Sequence, residues 1–430
     1  MYNRRIDTRP ALIARCGTDA DVASALRWGR ERELPVSVRA TGSNYAGLSA
    51  GHNGVVIDVS EMQGITVDLG SRTARVAAGE TSGALHNAAA PHGLAPVTGI
   101  MATTGVGLVL GGGFGHLRAR AGWSADNILA ATLVTADGQT VRVTFDVEPE
   151  LHWALRGAGA NFGVVTSLDL HLHPVVPRIT SCTMIWGEDR LEEGFRAMRE
   201  MRSESSRDLV MFAWLKIAED PQIPARLRGR PSLELAACHL GTSEAAAEMT
   251  RVRAAANPDH EFSGPDTFRD LHFQWKSTAP NRRSMDAVSA RELDNDVIAY
   301  LANATRNMAM PGSRRVIELF DQSGAIAETP DMPSVQPRSV ASAWSIRPAG
   351  IRATADMDAV DDAWVKGIVD DVLAMDQGID DACALNSMSW TAGTERLKRI
   401  YGADYDRLAG LKKTWDPDNV FAANQNIPPA

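Results

Sequence analysis

The 430-residue chain holds only four cysteines, Cys16, Cys182, Cys238 and Cys383, far apart and without a CxxC pair. This excludes a zinc knuckle and a disulfide framework, and makes buried, reduced thiols the expectation. Nowhere is there an apolar run of about 18 residues, and the opening MYNRRIDTRPALIARC lacks an apolar h-region. A cytoplasmic protein without a membrane partner is expected. Positive charge is also in deficit: a formal net charge of -9 gives no electrostatic footprint for nucleic acid. GxxxxGK is absent, and no frame through residues 105–116 gives GxGxxG, so neither a P-loop nor a Rossmann fingerprint is present.

What is there is the composition of a globular protein, 44% hydrophobic and 23% charged, with too many residues for one core. The spacing of Val22, Ala25, Leu26 and Gly29 predicts a helix over 19–33, capped by Asp19 or Asp21. Residues 34–38 and 54–59 read as strands around the loop Arg39-Ala-Thr-Gly-Ser-Asn44. A hairpin follows around residues 69–71, then a helix over 82–90, and Asp137-Gly138 marks a second hairpin. Alternation over 164–172 closes a first unit before Pro174 and Pro177. From 178 to about 380 longer helical patterns mix with strands, which reads as an inserted, substrate-facing domain. No heptad or isolated apolar face marks an oligomer interface.

Residues 98–115 are dense in glycine and poor in polar side chains, a run suited neither to a regular helix nor to a flexible linker. Its bare N–H groups suit a diphosphate; the competing reading is a cluster of structural turns. Gly47-Leu-Ser-Ala-Gly51 satisfies GxSxG, but a loop precedes it and a strand follows, the reverse of a nucleophile elbow. His171 and His173 share a strand face without a third ligand, so no metal site is assigned.

Five blocks in order carry a resemblance: Val38–Ser49, Gly54–Ser60, Thr104–Gly115, Trp153–Thr166, and the tail from Tyr405 through Asn424-Gln-Asn-Ile-Pro. Together they closely resemble the berberine-bridge-type branch of the vanillyl-alcohol-oxidase flavoproteins. The resemblance implies an α+β fold: a PCMH-type two-part FAD-binding domain, residues 1–177 and 381–430, around an inserted α+β substrate domain, residues 178–380, with an antiparallel sheet flanked by helices. It implies FAD as cofactor, held by Arg39, Thr41, Gly42, Ser43, Asn44, Gly99, Met101, Thr104, Gly105, Gly107, Gly112, Gly113, Gly115, Asn161, Gly163, Val165, Asn386, Asn424 and Asn426.

Departures from the family pattern shape the expected chemistry. Many members attach FAD through a histidine in the first loop, where this chain has Ser43; others add a cysteine where it has Met101. Neither is a nucleophile suited to the flavin 8α carbon, so the FAD is expected to be non-covalent. Sugar and alcohol oxidases of the branch use a tyrosine base where this chain reads Asn386-Ser387. Ser387 cannot accept a proton unaided at neutral pH, and His272, Lys276, His239 and Tyr300 stand as alternative base candidates. The expected function is an FAD-dependent oxidase of a small or medium organic molecule in secondary metabolism, with hydride transfer to flavin N5 and O2 as electron acceptor. An amine or an already acidic hydroxyl would need no strong base. A non-redox cyclase or a binding protein on the same scaffold is the alternative.

Overall fold

The computed structural model describes residues 2–241, 245–274, 281–338, 343–379, 385–388 and 393–430. Cys383 and Lys276 lie outside the described residues.

The first helix spans Asp19–Arg30 and buries Val22, Ala25, Leu26 and Gly29. Its cap is Thr18 rather than either aspartate: the Thr18 side chain accepts from the Asp21 N–H while the Asp21 carboxylate accepts from the Thr18 N–H, a capping box. The helix packs on a three-stranded parallel sheet in which Val55–Asp58 lies between Leu12–Arg15 and Val36–Arg39. All four residues of the central strand are buried, as a parallel strand covered on both faces must be.

The second sheet is antiparallel, in the order Ile65–Asp68, Thr73–Ala77, Val164–Pro174, Ile128–Val134, Thr140–Thr144, with Leu94–Pro96 pairing the far end of Val164–Pro174. Its inward residues Ala74, Val76, Leu133 and Leu168 share one core with Leu397, Ile400, Tyr405 and Leu408 from the helices Thr394–Tyr401 and Asp404–Trp415. The last segment of the chain thus packs against the first.

The third sheet has nine strands, all drawn from residues 180–379 and all antiparallel. Its centre is Pro231–His239, Leu209–Ile217, Ser313–Asp321 and Trp344–Arg352. Alternation sends Ile317, Leu319, Trp344 and Ile346 to one face, where they meet Leu191 and Phe195, Val297 and Leu301, and Ile368 and Val372 from three helices. The opposite face carries Phe212, Glu318, Phe320 and Arg347, and turns toward the glycine-rich run. Arg118 bolts the two halves together. It is 1% exposed and donates to the carbonyls of Asp321, Gly115 and Met211.

The candidate cofactor and substrate site

A cavity of about 350 Å³ lies between the loop 40–49, the run 99–113, the segment 158–161, the third sheet and the C-terminal segment 421–425. Its volume falls in the usual range for small-molecule sites.

The first loop is shaped by its own side chains. Asn44 Oδ1 accepts from the Leu48 N–H at 3.2 Å, and Gly42 turns the chain at φ +70°. Thr41 Oγ1 accepts from the Gly105 N–H at 3.1 Å and lies 3.0 Å from Ser43 Oγ, so first loop and glycine run are laced together. A Cβ on Gly105 would stand 2.8 Å from Thr41 Oγ1, which is why glycine is required there. At Gly107, by contrast, an added Cβ would meet no protein atom within 4 Å. Asn386 donates to the carbonyls of Leu108 and Gly111 at 2.9 and 3.0 Å and so holds the glycine run from the far end of the chain.

The C-terminal wall is fastened by reciprocal amides. Asn161 donates to the carbonyls of Ala158 and Gln425 and accepts from the Ile427 N–H, while Asn424 donates to those of Ala160 and Phe421. Behind them Lys412 and Asp416, both 0% exposed, pair at 2.7 Å. Lys412 Nζ also donates to the carbonyls of Asn161 and Phe421, and Asp416 accepts from the N–H groups of Val420 and Phe421.

Of the residues singled out from sequence, Thr41, Gly42, Ser43, Asn44, Gly99, Met101, Thr104, Gly105, Gly107, Gly113, Asn161, Val165, Asn386 and Asn424 line the cavity, as does Ser387. Five stand behind the wall instead. Arg39 is drawn to Asp58, its register partner on the adjacent strand, at 3.2 Å. Gly112 and Gly115 are needed by protein contacts, since a Cβ would fall 2.6 Å from Gln336 Oε1 or 2.2 Å from the Thr98 carbonyl. Gly163 lies against Leu133 and Val134 for the same reason, and Asn426 is outside the lining.

The described base candidates other than Ser387 are also elsewhere. His272 is 1% exposed and stacks on His86 at 3.6 Å between centroids. His239 bonds Glu248 at 3.0 Å, and Tyr300 donates to Asp371 at 2.7 Å. His173 bonds Asn127, and among the described residues no group of three potential ligands could hold a metal ion. Ser49 of the GxSxG match lines the cavity but has no hydrogen-bond partner among the described residues.

Sequence reasoning missed the ionisable side chains that do line the cavity: Tyr2, Tyr45, Glu318 and Arg347. Glu318 and Arg347 are directly opposite on neighbouring strands, with Glu318 Oε2 3.7 Å from Arg347 Nε. The Tyr2 and Tyr45 rings meet edge-on at 5.4 Å. Burial first, then the nearby Tyr2 and Glu318, push the Tyr45 hydroxyl above the ordinary phenol range, so it remains a proton donor at neutral pH.

The comparisons with known proteins agree with this geometry. Residues 10–144 match the family model described as FAD binding domain, and residues 375–428 the one described as berberine and berberine like. The chain is 29% identical to (R)-6-hydroxynicotine oxidase of Paenarthrobacter nicotinovorans over 445 aligned positions, covering 100% of this chain and 93% of that protein. The chain is a berberine-bridge-type flavoprotein of the vanillyl-alcohol-oxidase superfamily. Among solved structures, 6-hydroxy-D-nicotine oxidase of Arthrobacter nicotinovorans superposes on this flavoprotein with a TM-score of 0.88 and 26% identity, covering 100% of this chain and 94% of the other. Glucooligosaccharide oxidase of Acremonium strictum shares the fold, with a TM-score of 0.84, 20% identity and coverage of 100% and 94%. That protein carries a 6-S-cysteinyl, 8α-N1-histidyl FAD. This chain is an FAD-linked oxidoreductase.

The cavity suits FAD on its own terms. Among the described residues Ser49 Oγ and Asn424 Oδ1, buried in its wall, have no partners, and Gly107 leaves open space where a side chain would stand. Such unfilled polar groups and bare backbone are what a polar cofactor requires.

Proposed function

We propose that the enzyme holds FAD non-covalently and oxidises a small organic molecule whose acidic proton is taken by Glu318. The observation that carries this reading is the composition of the cavity wall. Among the described residues Glu318 is its one carboxylate, Tyr45 stays protonated, and Ser387 has no basic side chain beside it in the wall. Glu318 accepts the proton of an amine or hydroxyl as the neighbouring C–H leaves as hydride, so the substrate loses two electrons and two hydrogens and gains a C=N or C=O bond. When bound, FAD supplies the hydride acceptor at N5 and passes the electrons to O2. The names of the nicotine-oxidising relatives support an amine.

Non-covalent binding is supported by the two family attachment positions. Ser43 and Met101 both line the cavity, and neither offers an imidazole or thiol. The buried, free thiols of Cys16, Cys182 and Cys238 suit a reducing cytoplasm.

Acid precipitation of the purified yellow protein tests the first claim: the flavin should stay in the supernatant, and colour retained in the washed pellet refutes it. Anaerobic mixing with a reducing substrate tests the second. Glu318→Gln should slow bleaching of the flavin by about 100-fold or more, and an unchanged rate removes Glu318 from the chemistry.

A further inference from the structure

Arg347 is the one cationic side chain lining the cavity among the described residues, and its donors are poorly filled. Its side chain is 13% exposed, and Nε is buried with no hydrogen-bond partner among the described residues. Among the described residues Nη2 reaches only the Met285 sulfur, at 4.0 Å. The Glu318 carboxylate, at 3.7 Å, attracts it without reaching hydrogen-bond distance.

Arg39 Nε is likewise buried without a hydrogen-bond partner among the described residues, but Arg39 Nη1 pairs with Asp58 at 3.2 Å, and the fully buried arginines are better filled. Arg118 donates to three backbone carbonyls, and Arg156 to those of Ala125, Asp126, Met332 and Pro333. Arg352 bonds Asp358, Asp361, Ser284 and the Gly350 carbonyl. A guanidinium presents five N–H donors in a planar fork that matches a carboxylate, and donors left empty away from water are costly. Aromatic rings surround the guanidinium: its carbon lies 5.1 Å from the Phe320 ring centre, and Tyr2 and Tyr45 line the same cavity as Arg347.

We propose that Arg347 is a specificity-determining residue that seats a carboxylate of the substrate, carried on a flat, aromatic or conjugated body. The identity of that molecule as a substrate rests on the oxidoreductase reading above; the anion seat itself rests on the two strands. Glu318 is the resident counter-charge, and an incoming carboxylate takes Arg347 from it.

Benzoate and its neutral isostere benzamide test the seat on the FAD-loaded, full-length protein, with binding read as heat and flavin content read separately by absorbance. Benzoate should bind saturably and benzamide about 30-fold more weakly. Arg347→Met should erase the preference, and Arg347→Lys should weaken benzoate by about 10-fold because an ammonium lacks the fork. Glu318→Gln should tighten benzoate, since the competing charge is gone. Equal binding of the two probes, no saturable benzoate binding, or a preference that survives Arg347→Met overturns the proposal. A colourless preparation that takes up no FAD instead sinks the oxidoreductase reading, and the heat of benzoate binding still reports on Arg347.

Discussion

Lowering the pH should loosen the seam between the two halves of this enzyme, and His272 gives the effect a size. His272, on the helix Phe268–Phe273, stacks against His86 of the helix Ser82–Ala89 at 3.6 Å, with His116 6.4 Å away. Burial lowers the His272 pKa from 6.5 to about 4. His86 and His116 are driven in the same direction by burial, then by His272, and in the case of His116 by Arg118 as well. The folded-state pKa is depressed, so the unfolded chain binds the proton first. Stability from a neutral buried histidine is therefore complete above about pH 6.5 and is lost as pH falls toward 4. From 6.5 to 5 the slope of 1.4 kcal/mol per pH unit gives a loss of about 2 kcal/mol for His272. His152, 1% exposed and also held at about 4 by burial, adds a similar loss. Asp358, held at about 2 chiefly by Arg282, titrates well below this window, and comparing the variant with wild type cancels the contribution of Glu234, whose pKa burial raises. Urea unfolding followed by tryptophan fluorescence at pH 7.5 and pH 5 should show both proteins losing stability, with His272→Leu losing about 2 kcal/mol less than wild type. Equal losses in the two proteins would refute the assignment of a buried, neutral His272.

Other perturbations separate the parts of the site. Lys412→Met strands the buried Asp416 carboxylate and two backbone carbonyls, and should cost about 3–5 kcal/mol in chemical denaturation. Gly107→Ala meets no protein atom, so the flavin-free melting temperature should stay within about 2 °C of wild type while FAD affinity falls about 10-fold in a flavin titration. Gly115→Ala, forced against the Thr98 carbonyl, should instead lower stability with or without flavin, as thermal unfolding of the two forms would show.

The glycine-rich end of the cavity was legible as a backbone-lined loop because it is built from local sequence. Thr41 to Asn44 and the glycines at 105, 107 and 113 take their places through turns and short-range bonds that their residue types impose. Arg39 misled because its partner is set by strand register with Asp58, which no local pattern displays. The Glu318 and Arg347 end was illegible for a related reason. Alternation along 313–321 separates Glu318 from Ile317 and Leu319, but only the pairing with Trp344–Arg352 brings Arg347 opposite it, and only the docking of distant segments decides which face is wet. His272 carried the residue type of a base and the burial of a core residue, and its contact lies 186 positions earlier, at His86.

The wall made by residues 421–425 has a consequence for how the enzyme comes into being. On the ribosome the first loop and the glycine run emerge hundreds of residues before Asn424, so a nascent chain presents a cradle with one side missing. A chain stopped short of residue 421 retains the glycine run yet lacks the strap that Lys412 and Asp416 fasten, so its cavity stays open on that side. Free flavin would thus distinguish chains that carry the strap from those that stop before it.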